Sequence, residues 1–389
     1  MSFFMFKLIF LSIYVGLSAL ITFFIHKQLN PYYTPMYVTK KPKKEGELEE
    51  KVNIHDEFIE FAKTDKPINV IKLFIGVLTL FWIRFIINVI ITVVLTTKIN
   101  NRTKEKKTKE EKLDQEDINY MINSTKYFTK WFLRVSRIIV DNKRLPDEKV
   151  LPVFQKYFGP EYKIDYNGKF GCLISNHTCI YDMAASMSNF GNGFVAKEAV
   201  KDIPFFGKLM TGLQTILVDR NNTDSKNNTL NKLSERQHAY YEGKPVMPFL
   251  IFPEGTTTSG RHLITFKKGA FDSLLPIKAT IMNPNVSKDC QLGCGSSDVM
   301  SNFLRDLSTL YSNIEYIELP IMTPNEYMFN NFKDLGKEKW EIFAEVAREI
   351  MCTLGKLKKS NFGVKDSFRY SSCLKEKTYL DRDTYKIRS

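Results

Sequence analysis

The stretch Asn176-His177-Thr178-Cys179-Ile180-Tyr181-Asp182 lies between two segments of different character. Gly171 to Ser175, before it, is a short apolar run, and Met183-Ala184-Ala185-Ser186, after it, is small and compatible with a helix. This order predicts a buried strand, a polar turn and the start of a helix. On one regular helix, residues five apart would sit roughly 140° apart and face different ways. His177 and Asp182 can therefore meet only if the histidine is in the turn and the aspartate in the early helix. There the carboxylate would take the Nδ1 proton and leave Nε2 as a general base. In isolation, a histidine closing a strand end is the preferred account of the pair, so the rest of the chain has to decide.

Outward from this turn, short apolar runs alternate with amphipathic stretches from about Leu151 onward. The pattern predicts an α/β domain with a mixed, mostly buried sheet flanked by helices. Predicted strands are Gly171–Ser175, Gly193–Ala196, Thr215–Asp219, Met247–Phe252, Ile277–Met282 and Ile314–Pro320. Predicted helices are Ser225–Glu242, Asp298–Tyr311 and Lys337–Leu354. Polar motifs follow three of the strands, where α/β sheets place their ligands. The second of these is Val218-Asp219-Arg220, whose arginine offers a planar fork to a phosphate or sits in a surface ion pair. The third is Phe252-Pro253-Glu254-Gly255-Thr256-Thr257-Thr258, in which Gly255 permits close backbone approach and the threonines supply hydroxyls. Thr265-Phe266-Lys267-Lys268-Gly269 comes next, with lysines suited to an anion or simply to a solvated turn.

In this order the motifs resemble the glycerolipid acyltransferase family of the 1-acylglycerol-3-phosphate acyltransferase type. That family is marked by Asn-His-x4-Asp, here Asn176 to Asp182. Lys197-Glu198, Ile203-Pro204-Phe205-Phe206-Gly207 and Val218-Asp219-Arg220 are similar to its second block. Phe252 to Thr256 match its Phe-Pro-Glu-Gly-Thr, and Leu275-Pro276-Ile277 its fourth block. Residues 263–271 and the apolar block broken by Arg84 look most like the lysophosphatidylcholine/lysophosphatidylethanolamine acyltransferase branch. The resemblance implies His177 and Asp182 as the catalytic pair and Arg220 as the phosphate ligand. It also implies that Asn176, Glu254, Gly255 and Thr256 line the acceptor site, with Lys267 and Lys268 toward acyl-CoA phosphates. The oxyanion would be met by backbone N–H groups at the helix start after His177. Many relatives carry Arg or Cys where this chain has Thr257.

The N-terminal third is different in kind. Leu8 to Ile25 is uncharged and just long enough to span a bilayer, as a retained signal anchor or a cleaved signal peptide; its length favours the anchor. Leu73 to Thr97 is apolar but interrupted by Arg84, and a charge in mid-span costs about 2.5 kcal/mol or more. A re-entrant segment with Arg84 at head-group level avoids that cost, whereas a full span does not. Lys98 to Lys112 holds seven Lys/Arg against three Glu and favours the cytosolic side. The expected organisation is a signal anchor or transmembrane helix over 1–28, a polar linker over 29–67 and a re-entrant membrane segment over 68–98. A basic linker with an interfacial helix follows over 99–150, then the catalytic domain over 151–330 and a C-terminal helix with a basic tail over 331–389.

Charge and cysteines narrow the function. Lys and Arg outnumber Asp and Glu by 56 to 43 over 389 residues, giving a net charge of +13. Such a balance suits an anionic substrate or an acidic bilayer. No zinc-finger, RNA-binding or helix-turn-helix signature accompanies it, so nucleic acid is not the expected partner. The six cysteines lack metal-site spacing, and reduced thiols of a cytosol-facing domain are expected, with no metal and no bound cofactor. The remaining histidines, His26, His55, His238 and His262, have no motif around them and are expected at the surface. The expected function is transfer of a fatty acyl group from acyl-CoA, a co-substrate, to the hydroxyl of a lysophospholipid. The enzyme would be anchored in the bilayer, at the endoplasmic reticulum. Glycerol-3-phosphate acylation, CoA-independent transacylation and non-catalytic lipid binding are the alternatives. Oligomeric state is not legible.

Overall fold

The computed structural model describes residues 3–40, 49–63, 67–109, 111–203, 206–218, 223–285, 292 and 295–381. The chain opens with helix α1 (Phe3–Leu29), whose outward residues Phe10, Leu20 and Phe23 are exposed. Strands β1 (Tyr37–Lys40) and β2 (Glu50–Asn53) form an antiparallel pair, followed by the single turn α2 (Ile54–Glu57). Residues 29–67 are therefore not only a linker. Val38, Val52, Ile54, Phe58 and Phe61 point inward to a small core that the far end of the chain completes.

The second apolar block is one unbroken helical run, α3 (Val70–Gly76), a π-helical turn (Val77–Phe81) and α4 (Trp82–Thr108). The backbone does not reverse at Arg84, so the expected re-entrant turn is absent there. Both α1 and this run are long and apolar enough to cross a membrane, the latter 37 residues from Val70 to Lys106, or about 55 Å at 1.5 Å per residue. Ile71, Ile83, Ile86 and Ile90 are exposed along it. Arg84 instead turns toward the domain. Its guanidinium donates to the carbonyls of Leu307 (3.0 Å), Thr309 and Leu310 (3.1 Å), where a later helix ends. The last carbonyls of a helix have no partner within it, and a cation there is favoured by the helix dipole.

Helix α5 (Gln115–Ser136) starts at a reciprocal Asp114/Asp117 capping box and buries Ile118, Met121 and Leu133. The helix stops at Arg137, which adopts a left-handed conformation at φ 58°. Strand β3 (Ile138–Lys143) and helix α6 (Asp147–Phe158) follow. Next come β4 (Cys172–Ser175), α7 (Tyr181–Phe190), β5 (Gly193–Lys197), α8 (Phe206–Gly212), β6 (Ile216–Val218), α9 (Thr223–Tyr241) and β7 (Phe249–Ile251). The chain then runs through β8 (His262–Leu263), β9 (Ile277–Asn285), α10 (Val299–Leu307), β10 (Ser312–Met322), α11 (Glu326–Asn331), α12 (Lys339–Gly355), β11 (Lys358–Lys359) and α13 (Val364–Glu376).

The main sheet has seven strands in the order β3-β10-β9-β4-β7-β5-β6. All neighbours are parallel except β9 and β10. It is the mixed, helix-flanked α/β sheet expected from the sequence, and it is covered on both faces, as parallel strands require. Cys172, Ile174 and Ile251 pack on one side with Phe154 of α6 and Phe343 and Ile350 of α12. Leu173 and Leu250 pack on the other with Leu95 and Ile99 of α4 and Met121 of α5. The α/β unit thus begins well before Leu151. The second half of the apolar helix, α5, β3 and α6 are structural parts of it. The basic C-terminal stretch is not only a tail, because α13 buries Tyr370 and Cys373 in the core started by β1, β2 and α2.

Candidate active site

The turn between β4 and α7 adopts the arrangement its sequence predicted. Asp182 is the second residue of α7 and is fully buried, while His177 lies in the turn with 19% of its side chain exposed. His177 Nδ1 is 3.0 Å from Asp182 Oδ2. Donation from Nδ1 to the carboxylate leaves Nε2 with its lone pair. Nε2 forms no hydrogen bond among the described residues. The imidazole lies flat on Phe252, ring centroids 3.9 Å apart and planes 12° from parallel. Carboxylate and phenyl ring together leave the imidazole little freedom to rotate.

Asp182 does more than orient the histidine. It accepts from the Thr178 and Cys179 amides, the latter at 2.8 Å, and from the Thr178 hydroxyl at 2.9 Å. These bonds satisfy a buried carboxylate that would otherwise be costly. They also narrow one expectation. The amides of Thr178 and Cys179, the nearest after His177, are spent inside the turn and cannot serve an oxyanion. Cys179 is itself fully buried, its thiol 3.4 Å from Asp182 Oδ1.

The Phe-Pro-Glu-Gly-Thr segment holds the histidine's backbone. His177 N–H donates to Glu254 Oε1 at 2.9 Å, and Thr258 N–H donates to His177 C=O at 2.8 Å. The other oxygen of Glu254 accepts from Ile264 N–H at 3.2 Å. Glu254 is fully buried, so it is a brace beneath the site and not a lining residue of an acceptor pocket. Burial pushes its carboxyl up to about 8, against the two amide donors and the nearby charge of Arg348. Asn176 is a brace as well: its amide exchanges two 2.8 Å bonds with the backbone of Met282, tying the turn to β9, and is buried. Both residues were expected to touch substrate; satisfying buried backbone groups has claimed them instead.

Gly255 takes a φ of +71°, and a Cβ there would sit 2.6 Å from Lys267 Nζ. The glycine therefore serves both the turn and the close approach of Lys267, whose amide bonds Pro253 O at 2.9 Å. Thr256 is half-buried beside them. Lys268 does not join the group. It is committed to Asp272 (3.1 Å) and Glu338 and lies over the Trp340 ring. Arg220 falls outside the described residues. His177, Asp182, Gly255, Thr256 and Lys267 are thus gathered at one end of the sheet, with Phe252 and Thr258, whose roles no sequence pattern announces.

Two other histidines are not plain surface groups. His55 bridges the Tyr370 hydroxyl (2.8 Å) and Thr34 C=O (2.9 Å). His262 is partly buried, and burial lowers its pKa.

Residues 162–285 match the family described as Acyltransferase. That segment of the α/β unit is similar to the acyltransferase family. Lysophospholipid acyltransferase LPEAT1 of Arabidopsis thaliana is 28% identical over 218 residues, covering 56% of this chain and 52% of that one. Lysophosphatidylcholine acyltransferase 2 of Homo sapiens is 27% identical over 180 residues, 46% of this chain and 31% of its own length. Lysophosphatidylcholine acyltransferase 1 of Danio rerio is 31% identical over 158 residues, 40% and 28% of the two chains. The similarity therefore spans from about half to less than a third of these relatives' length. The crystal structure of the 1-acyl-sn-glycerophosphate acyltransferase PlsC from Thermotoga maritima aligns with 70% of this chain and 97% of that one, at 14% identity and a TM-score of 0.40. These relatives carry lysophospholipid or lysophosphatidylcholine in their names, in line with the branch the motifs suggested.

Proposed function

We propose that this chain is a membrane-bound enzyme that transfers a fatty acyl group from acyl-CoA to the free hydroxyl of a lysophospholipid. The observation that carries the reading is the His177–Asp182 pair at 3.0 Å, with Nε2 unbonded among the described residues and the imidazole seated on Phe252. A base so oriented suits removal of a proton from a lipid hydroxyl. The hydroxyl oxygen attacks the thioester carbonyl, forming the ester bond as the C–S bond breaks. The proton held on Nε2 passes to the departing CoA thiolate. No protein nucleophile is needed, and the full burial of Cys179 argues against an acyl-cysteine intermediate.

The amides of Thr256 and Thr257, which donate no hydrogen bond among the described residues, are the donors this reading assigns to the tetrahedral oxyanion. Lys267, over the Gly255 turn, suits an anionic group of either substrate, and Arg220 is kept as a phosphate ligand on the motif resemblance. The outward apolar faces of α1 and the 70–108 helix support attachment to the bilayer that supplies and receives the lipids. The buried free thiols and the basic run after Thr97 support a cytosol-facing domain, with the endoplasmic reticulum as the expected membrane.

The test is release of free CoA, read with a thiol reagent, by the membrane-embedded chain. The acceptor panel is lysophosphatidylcholine, lysophosphatidylethanolamine, lysophosphatidic acid and glycerol-3-phosphate. At least one lysophospholipid should support release, and His177→Ala should lower kcat by about 10³-fold while the protein stays folded. Normal turnover in His177→Ala would sink the mechanism. Transfer without any acyl-CoA would replace the donor assignment.

A further inference from the structure

We infer that Ser367, more than eighty residues beyond the 162–285 acyltransferase segment, is a positioning residue for the acceptor. It rests on the acyltransferase reading above and deepens it. Thr256 Oγ1 lies 3.2 Å from Ser367 Oγ, and Ser367 Oγ lies 2.8 Å from Ser296 Oγ. The three hydroxyls form a chain leading from the Glu-Gly-Thr turn into the first turns of α13. Ser367 is buried, whereas Thr256 and Ser296 are half-buried.

Neighbouring contacts show that the turn is held from outside the central sheet. Thr257 Oγ1 donates to Gly295 C=O, and Gly295 N–H donates back to Thr258 C=O at 3.2 Å. Ser296 N–H reaches Phe61 C=O at 3.1 Å, and Ser259 N–H reaches Glu60 C=O at 2.6 Å. The start of α13 is fixed by Thr265 N–H to Phe362 C=O at 2.9 Å, two residues before Lys267. The segments that brace residues 256–259 thus come from both ends of the chain and meet in one core of Phe58, Phe61 and Tyr370.

A threonine hydroxyl can rotate among three staggered positions. The bond to Ser367 selects the one in which Thr256 Oγ1 faces α13, fixing where its second lone pair or proton points. Thr256 is the motif residue assigned to the acceptor, so its hydroxyl orientation bears on acceptor binding and not on the acyl-CoA donor. Ser367 acts through Thr256 and touches neither substrate.

The experiment compares Ser367→Ala, Thr256→Val and the double variant in the full membrane-embedded chain. The acceptor is the best lysophospholipid of the panel, and KM is measured for each substrate separately. Ser367→Ala should raise the acceptor KM by about five- to tenfold, the worth of one hydrogen bond. The acyl-CoA KM and kcat should stay within about twofold. Ser367→Thr, which keeps the hydroxyl, should return most of the loss. In the Thr256→Val background, Ser367→Ala should add nothing. An unchanged acceptor KM, additive effects, or equal changes for both substrates would overturn the assignment. If Ser367→Ala does not fold, Ser296→Ala takes its place with the same expected rise, and an unchanged KM there is equally fatal. An unmodified chain that transfers to no acceptor overturns the acyltransferase reading itself, and this inference with it.

Discussion

The turn at 176–182 and the module built from the two ends of the chain solve the same problem on different scales. In the turn, a buried carboxylate is satisfied by neighbours within five residues: His177, Thr178 and Cys179. In the module, Phe58 and Phe61 are buried against Tyr370, from the far end of the chain, and the Tyr370 hydroxyl meets His55 at 2.8 Å. The first arrangement is local and polar, and its chemistry can be read from adjacent letters. The second is non-local and apolar, and its charged flanks make it look like linker and tail. Yet it is the second that steadies residues 256–259 beside the first. A site whose chemistry is local can depend for its geometry on contacts more than 250 residues apart.

The largest expected effect falls on the local half. Asp182→Asn replaces one acceptor oxygen by a donor that faces amides already donating, and it favours the wrong imidazole tautomer. We expect kcat to fall by about 10³- to 10⁴-fold, with a measurable drop in thermal midpoint. A variant that retained activity would show that the aspartate serves the turn's fold and not the histidine.

Tyr370→Ala attacks the non-local half. Removing a fully buried aromatic ring costs about 3–5 kcal/mol, and the loss should appear as protease cleavage near α13 and near residues 58–61 together. Activity should fall with it, since the brace on residues 256–259 is lost. Full activity in a chain cleaved there would separate the module from the site.

The smallest effect links the two through Glu254. Its folded carboxyl, pushed up to about 8, holds a proton that the unfolded chain releases near its ordinary value of 4.5. Between these values the folded state binds more protons, so stability falls as pH rises, by at most about 1.4 kcal/mol per pH unit. Glu254→Gln should flatten this slope in thermal unfolding between about pH 5 and 8. A slope unchanged by the substitution would place the titrating group elsewhere.

Strands β4, β5, β6, β7, β9 and β10 and helices α9, α10 and α12 were legible because each is a run with a clear period bounded by polar or turn residues. Strand β3 was hidden because its apolar residues continue the period of α5. Only the left-handed turn at Arg137, a matter of backbone conformation, separates them. Arg84 misled for a related reason. Its charge implied a break in the apolar block, but its partners are carbonyls at the end of α10, which no local pattern announces. Helix α13 did leave a trace, since Ser367, Tyr370 and Leu374 recur at helical spacing beneath the lysines. The roles of Asn176 and Glu254 left none: whether a polar motif residue faces substrate or supports the backbone depends on which unpaired N–H and C=O groups the fold brings to it.

By itself, the sequence determined that a strand–turn–helix would present a histidine and an aspartate, because strand and helix periods and a five-residue spacing are properties of the chain alone. It also determined that two apolar segments precede the α/β region. Tertiary structure decided that the second of these also covers the sheet, and that Glu254 and Asn176 brace where Thr256 and Lys267 border the site. It also decided that the two ends of the chain close against that site. Buried backbone groups must be paired and apolar side chains must find cover, and the partners that meet both needs here lie hundreds of residues away.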